Sequence, residues 1–139
     1  MIGDESLGSC YATVWRIGSQ GLLSFSKRIG IAMYDSTDRE DSNNTDLPLM
    51  QWTHVAVTTD GSFARYYING VLDTTNAFTI VPRTSTCPWG IGKTTGNNRP
   101  FDGKIDDLRL YKRALSGTEI SALYSTGQFV GAKSVVLSA

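Results

Sequence analysis

The chain is poor in the residues that most catalytic and metal chemistry requires. It has one histidine, His54, and two cysteines, Cys10 and Cys87, in 139 residues. A lone histidine excludes a multi-histidine zinc site and a two-histidine relay, and neither cysteine has a partner at metal-type spacing. Glutamate is scarce too: Glu5 lies near the start, Glu40 in a polar stretch, and Glu119 three residues after Ser116. A glycosidase needs two carboxylates flanking a sugar bond, which on a strand means acids two or four apart. No such strand occurs. Asp106 and Asp107 cannot supply it, because neighbours on a strand face opposite sides. Charge of one sign is lacking as well: 13 basic residues balance 13 acidic ones, and no basic stretch is interleaved with aromatics, which excludes a nucleic-acid partner. No apolar run approaches a membrane span. The start Met1-Ile2-Gly3-Asp4-Glu5 is acidic where an export signal would be basic and then apolar.

With so few cysteines, the covalent framework stays open. Cys10 and Cys87 could form a disulfide, which for a loop of that length would add about 4 kcal/mol, or could be two buried thiols. Asn43-Asn44-Thr45 is formally a glycosylation sequon, a triplet common by chance.

What the chain does have is a regular alternation of short apolar runs and turn residues, over about 10–17, 21–26, 29–34, 52–59, 64–69, 77–81, 88–92, 104–111 and 133–138. That is an all-β pattern, and the length suits a single domain spanning 1–139. Asp60-Gly61 joins two runs and Asn69-Gly70 ends the second, so 52–72 is predicted to be an antiparallel hairpin. The polar stretch 35–46 reads as a long surface loop. Ser116 with Glu119 three residues on forms a capping box, and Leu115 can staple to Ile120. A short helix from about 117 to 125 is predicted, with an apolar stripe of Ile120, Leu123 and Tyr124 and Gly127 ending it in the left-handed conformation. Two sheets packed face to face suit these strands better than a closed barrel: an antiparallel jelly-roll sandwich with one short helix near the C-terminus.

Alternation along 104–111 places Asp106 on one face with Leu108 and Leu110. A carboxylate there would be desolvated unless main-chain N–H groups, a base or a metal ion met it. Asp106 is therefore the candidate metal ligand.

Four blocks carry a resemblance to a known family: Gln51-Trp52-Thr53-His54-Val55-Ala56-Val57 running on to Asp60-Gly61-Ser62, Tyr66-Tyr67-Ile68-Asn69-Gly70-Val71-Leu72, Gly90-Ile91-Gly92-Lys93, and Pro100-Phe101-Asp102-Gly103 leading into the strand and helix above. In order and spacing they resemble the laminin-G-like jelly rolls of the concanavalin A-like lectin and glucanase superfamily, from about residue 51 to 125. The family's amino-terminal strands, which sit beside the closing strand, are not evident, and residues 10–34 match loosely. Either residues 1–20 and the tail 133–139 substitute for them, or the sheet has an open edge through which a homo-oligomer could form.

The resemblance implies a structural calcium ion (Ca2+) held by the aspartate of the closing strand, here Asp106, together with main-chain carbonyls and ligands from loops. It also implies non-catalytic recognition of a glycan or other cell-surface ligand, and a location outside the cell or on a cell or virion surface. Sugar recognition uses aromatic platforms with polar side chains in adjacent loops, and Trp89, Tyr34, Asn97, Asn98 and Arg99 are the candidates. Trp52 and Trp15 are assigned to the core, and His54 to the packing of its strand. An assembly or adhesion role through protein contacts is the alternative, with glucanase activity third.

Overall fold

The computed structural model describes residues 2–3, 12–17, 28–34, 39–79, 90–92, 101–127 and 134–138, with side chains over 28–31, 43–79, 90–92 and 101–127. These residues form strands β1 (Ile2–Gly3), β2 (Ala12–Ile17), β3 (Ile29–Tyr34), β4 (Arg39–Ser42), β5 (Val55–Thr59), β6 (Phe63–Ile68), β7 (Val71–Ala77), β8 (Gly90–Ile91), β9 (Asp106–Tyr111) and β10 (Ser134–Ser138), with helix α1 (Gly117–Thr126) between the last two. Two five-stranded sheets result, in the orders β4-β3-β2-β1-β8 and β7-β6-β5-β10-β9. Each belongs to one of two compact units, Met1–Ser42 with Val81–Lys104 and Asn43–Ile80 with Ile105–Ala139. The fold is all-β with one short helix near the C-terminus, as the sequence pattern predicts.

In the first unit β2 and β3 pair antiparallel over six residues, from Ala12 opposite Tyr34 to Ile17 opposite Ile29. Ile29 and Ile31, two apart and so on one face of β3, are both buried. Strand β4 lies inside the stretch read as a surface loop and pairs with β3 from Gly30–Ser42 to Met33–Arg39. Its Arg-Glu-Asp-Ser sequence carries no apolar signal, and an edge strand needs none, because ladder hydrogen bonds are main-chain bonds.

The second unit is built around β5, where all five residues are buried. Antiparallel β6 sets Val57 opposite Tyr66 and Ala56 opposite Tyr67, and cross-strand partners share a face. On the Ala56 face, Tyr67, Leu115 and Ile120 complete a buried cluster, with Tyr111 and Leu123 packed against it. The hairpins form as their turn residues require. Gly61 takes φ +89° while Asp60 Oδ1 accepts the N–H groups of Ser62 and Phe63 at 3.0 and 2.8 Å. Asn69 and Gly70 take φ +50° and +79° and form a two-residue turn from Ile68 to Val71. Strand β7, with Asp73, Thr74, Thr75 and Asn76 in its centre, was not among the predicted runs. It too lies at the edge of its sheet. A predicted run at 77–81 is not a strand at 78–79.

Strand β10 departs from the antiparallel expectation, since it runs parallel to both β5 and β9. The tail thus lies between β5 and β9 in the second sheet. Helix α1 begins as predicted. Glu119 N–H donates to Ser116 Oγ at 3.2 Å, Ser116 N–H donates to Glu119 Oε2 at 2.8 Å, and Leu115 and Ile120 are both buried. Its end differs: Gly127 has φ −80°, not a left-handed value, and its N–H donates to Leu123 O at 2.9 Å in an ordinary helical bond. The glycine that does need its conformation is Gly70, where a Cβ would lie 2.9 Å from Tyr124 Cβ.

Two substitutions test this packing. Ser116→Ala removes the cap acceptor and is expected to lower stability by about 1 kcal/mol in urea unfolding. Gly70→Ala combines a positive φ with a collision against α1 and is expected to cost more, about 1–3 kcal/mol, with loss of near-ultraviolet tyrosine signal.

Candidate functional site

His54, Asn69, Asp107 and Arg109 come together where β5 begins, the β6–β7 turn closes and β9 passes. His54 is tied at its main chain, its N–H donating to Asn69 Oδ1 at 3.1 Å and its carbonyl accepting Asn69 N–H at 2.8 Å. The residue is 2% exposed, and its ring lies 5.6 Å from the Tyr124 ring, tilted by 45°. Neither ring nitrogen has a hydrogen-bond partner among the described residues. Burial, helped by the nearby Arg109 cation and opposed by Asp107, pushes the His54 pKa from 6.5 down to about 4. The imidazole is therefore neutral at pH 7, and with no solvent access it cannot touch a substrate. The structural assignment made from sequence agrees with this geometry.

Asp106 requires a correction. Its side chain is exposed, as is Leu110, so the face shared by Asp106, Leu108 and Leu110 is not the buried one. The two faces alternate as predicted, but the leucine-bearing one is turned outward; at its start the strand is irregular, Asp107 taking φ +48° and the β9–β10 register shifting between Ser134 and Val136. The face of β9 turned toward the core carries Asp107, Arg109 and Tyr111. Asp106 Oδ1 accepts the N–H of Asp107 at 2.8 Å in bulk solvent, so no desolvation demands an ion there. Among the described residues no three His, Cys, Asp or Glu side chains gather.

The neighbouring pair was missed. Arg109 grips Asp107 through two bonds, Nε to Oδ1 and Nη2 to Oδ2, each 2.8 Å, and Asp107 raises the Arg109 pKa. Asp-x-Arg on a strand puts opposite charges on one face, a signal legible in the sequence. Asp73 was missed as well. The β6–β7 register skips it, Tyr66 facing Thr74 and Tyr67 facing Leu72. This bulge leaves its carboxylate to accept the N–H groups of Asn44 and Thr45 at 2.9 and 3.4 Å. Burial pushes the Asp73 carboxyl up, but the hydrogen bonds from Thr45 and Asn44 outweigh it and the pKa falls. Within the loop so held, Asn43 is buried and donates through Nδ2 to Thr45 O, so the sequon asparagine serves in packing.

Two further carboxylates are committed. Asp60 accepts Arg65 Nη1 at 2.7 Å and two turn amides, which hold its pKa at about 2. Glu119 accepts Arg113 at 2.6 and 3.0 Å and the Ser116 cap, with its pKa likewise about 2. Trp52, assigned to the core, is half-buried.

Trp89, Asn97, Asn98 and Arg99 lie outside the described residues, as do Cys10 and Cys87, and so does the side chain of Tyr34, whose main chain ends β3 opposite Ala12. Around them the structure gives two anchors. Strand β8, which follows Trp89 in the sequence, pairs with β1, and Phe101 N–H donates to Gly92 O at 2.6 Å. No described helix is long and apolar enough to cross a membrane.

Comparison with known proteins extends the resemblance. A solved structure of an S-layer domain-containing protein from Clostridium thermocellum (residues 221–444) is similar at 27% identity and a TM-score of 0.49, covering 89% of this chain. The chain spans 61% of that structure's length. No curated protein matches the sequence. The family model described as the concanavalin A-like lectin/glucanases superfamily matches residues 12–121, reaching back well beyond the motifs that begin at residue 51. The chain accordingly belongs to the concanavalin A-like lectin/glucanases superfamily, as a laminin-G-like jelly-roll domain.

Proposed function

We propose that this domain is a non-catalytic recognition module that binds a glycan or another surface-displayed ligand. The observation that supports it is the use made of its carboxylates on a lectin and glucanase frame. A glycosidase acid must have a raised pKa, and its partner must face it across the substrate. Asp60 and Glu119 are pushed the other way, to about 2, by arginines and main-chain amides, while Asp73 and Asp107 hold a loop and an arginine. Ligand contact is assigned to Trp89 and Tyr34 as stacking platforms and to Asn97, Asn98 and Arg99 as hydrogen-bonding groups. Display outside the cell or on a cell or virion surface belongs to the same proposal. An assembly role is the second reading, favoured by β7, an edge strand whose Val71 and Leu72 are 68% and 50% exposed.

A glycan array separates these readings. Binding without turnover of a β-glucan is the expected result, with Trp89→Ala weakening it by about tenfold or more. A blank array together with a concentration-dependent oligomer in light scattering would favour assembly, and turnover would establish catalysis. Calcium is tested separately by melting. From its exposed position, Asp106→Ala is expected to leave the melting temperature unchanged in calcium and in chelator. A calcium-dependent rise that this substitution abolishes would establish the ion, since a bound ligand stabilises with the logarithm of its concentration.

A further inference from the structure

We infer that His54 is an acid-operated catch for α1, its buried ring holding the helix on the hairpin while neutral and releasing it when charged. The geometry places the ring beneath Tyr124, next to the point where Tyr124 closes over Gly70. Both nitrogens are buried with no partner among the described residues, so a proton added to either would carry a charge into a site without an acceptor. The groups acting on the ring are known from each element packed there. Strand β9 brings the Arg109 cation, which repels a charged ring, and Asp107, which attracts one but is already engaged in two bonds with Arg109. Helix α1 brings the Tyr124 ring, and the β6–β7 turn brings Asn69, whose Oδ1 is taken by the His54 main chain. Relief is available by one local motion, undocking the last turns of α1 so that water reaches the ring. The β5–β6 ladder need not break for this, because its bonds are main-chain bonds between strands.

The direction follows from linkage. The folded pKa, about 4, lies below the unfolded value of 6.5, so the undocked state takes the proton more readily. The docked state therefore loses ground as pH falls from 6.5, and the loss levels off below about 4. Glu119 and Asp60 give up their contributions as pH falls from their ordinary values of 4.5 and 3.8 toward about 2, so the two windows overlap only near pH 4.

His54 is the chain's one histidine, so its ring proton resonance is unambiguous in the full chain. The experiment follows that resonance from pH 7.5 to 3.5 together with amide exchange of α1 and of β5–β6, corrected for intrinsic rates. Expected is a ring midpoint about two units or more below the ordinary value, with protection of 117–126 falling on the order of a hundredfold between pH 7 and 4 while β5–β6 keeps its protection. His54→Phe and His54→Gln, neither of which titrates, are expected to retain helix protection over that range. Should one of them fail to fold, the other and the parent chain carry the test. A ring that titrates near 6.5, a helix indifferent to the titration, or helix and sheet losing protection together would overturn the proposal.

Discussion

Strand β5 has no exposed residue, and the unit around it is organised by that requirement. A strand covered on both faces leaves each of its side chains to be satisfied inside the protein. On the Ala56 face the cover is Leu115 and α1, brought down onto Tyr67. Those elements hold their place through features that are local and cheap. The capping box fixes where the helix begins, and the staple of Leu115 on Ile120 fixes the angle at which the chain enters it. Gly70 allows Tyr124 to approach the hairpin turn to a distance that any side chain would block. Burying an apolar pair such as Tyr67 and Ile120 contributes a few kcal/mol, so each of these small alignments decides whether that contribution is realised.

The charged residues follow a second rule, in which carboxylates serve as acceptors for main-chain N–H groups that lack a ladder partner. Asp60 closes the β5–β6 turn, Asp73 holds the amides of Asn44 and Thr45, Asp106 takes the N–H of Asp107, and Glu119 takes that of Ser116. Each meets a backbone need at an element's end. Exposed pairs such as Arg65–Asp60 and Arg113–Glu119 contribute little to stability by attraction alone. Their effect is to fix geometry and keep the acids ionised. His54 contrasts with Asp60 and Glu119, since its surroundings oppose the ionised form where theirs favour it.

How far the sequence is legible follows from the kind of signal each element carries. The hairpin, the cap and the staple are written in turn chemistry and short spacings, and Asn69-Gly70 or Ser116 with Glu119 can be read one residue at a time. Strands β4 and β7 are edge strands rich in Asp, Thr, Asn and Ser, held by main-chain pairing that leaves no apolar alternation to read. Asp106 misled because alternation sorts residues into two faces without saying which is buried, and its leucine companions pointed to the wrong one; beside it Asp107 adopts φ +48°. Nothing about Asp107 announces a left-handed conformation, though aspartate tolerates one better than most residues. The parallel pairing of β10 is a long-range choice and leaves no local trace.

These constraints bear on where a ligand can be held. The face of the second sheet that carries Ala56 and Tyr67 is closed by Leu115 and α1, so its aromatic ring is committed to the core and offers no platform. Tyr66, on the opposite face, is fully buried as well. The tyrosines of the Tyr66-Tyr67 block therefore belong to the frame, however inviting two adjacent aromatics look in sequence.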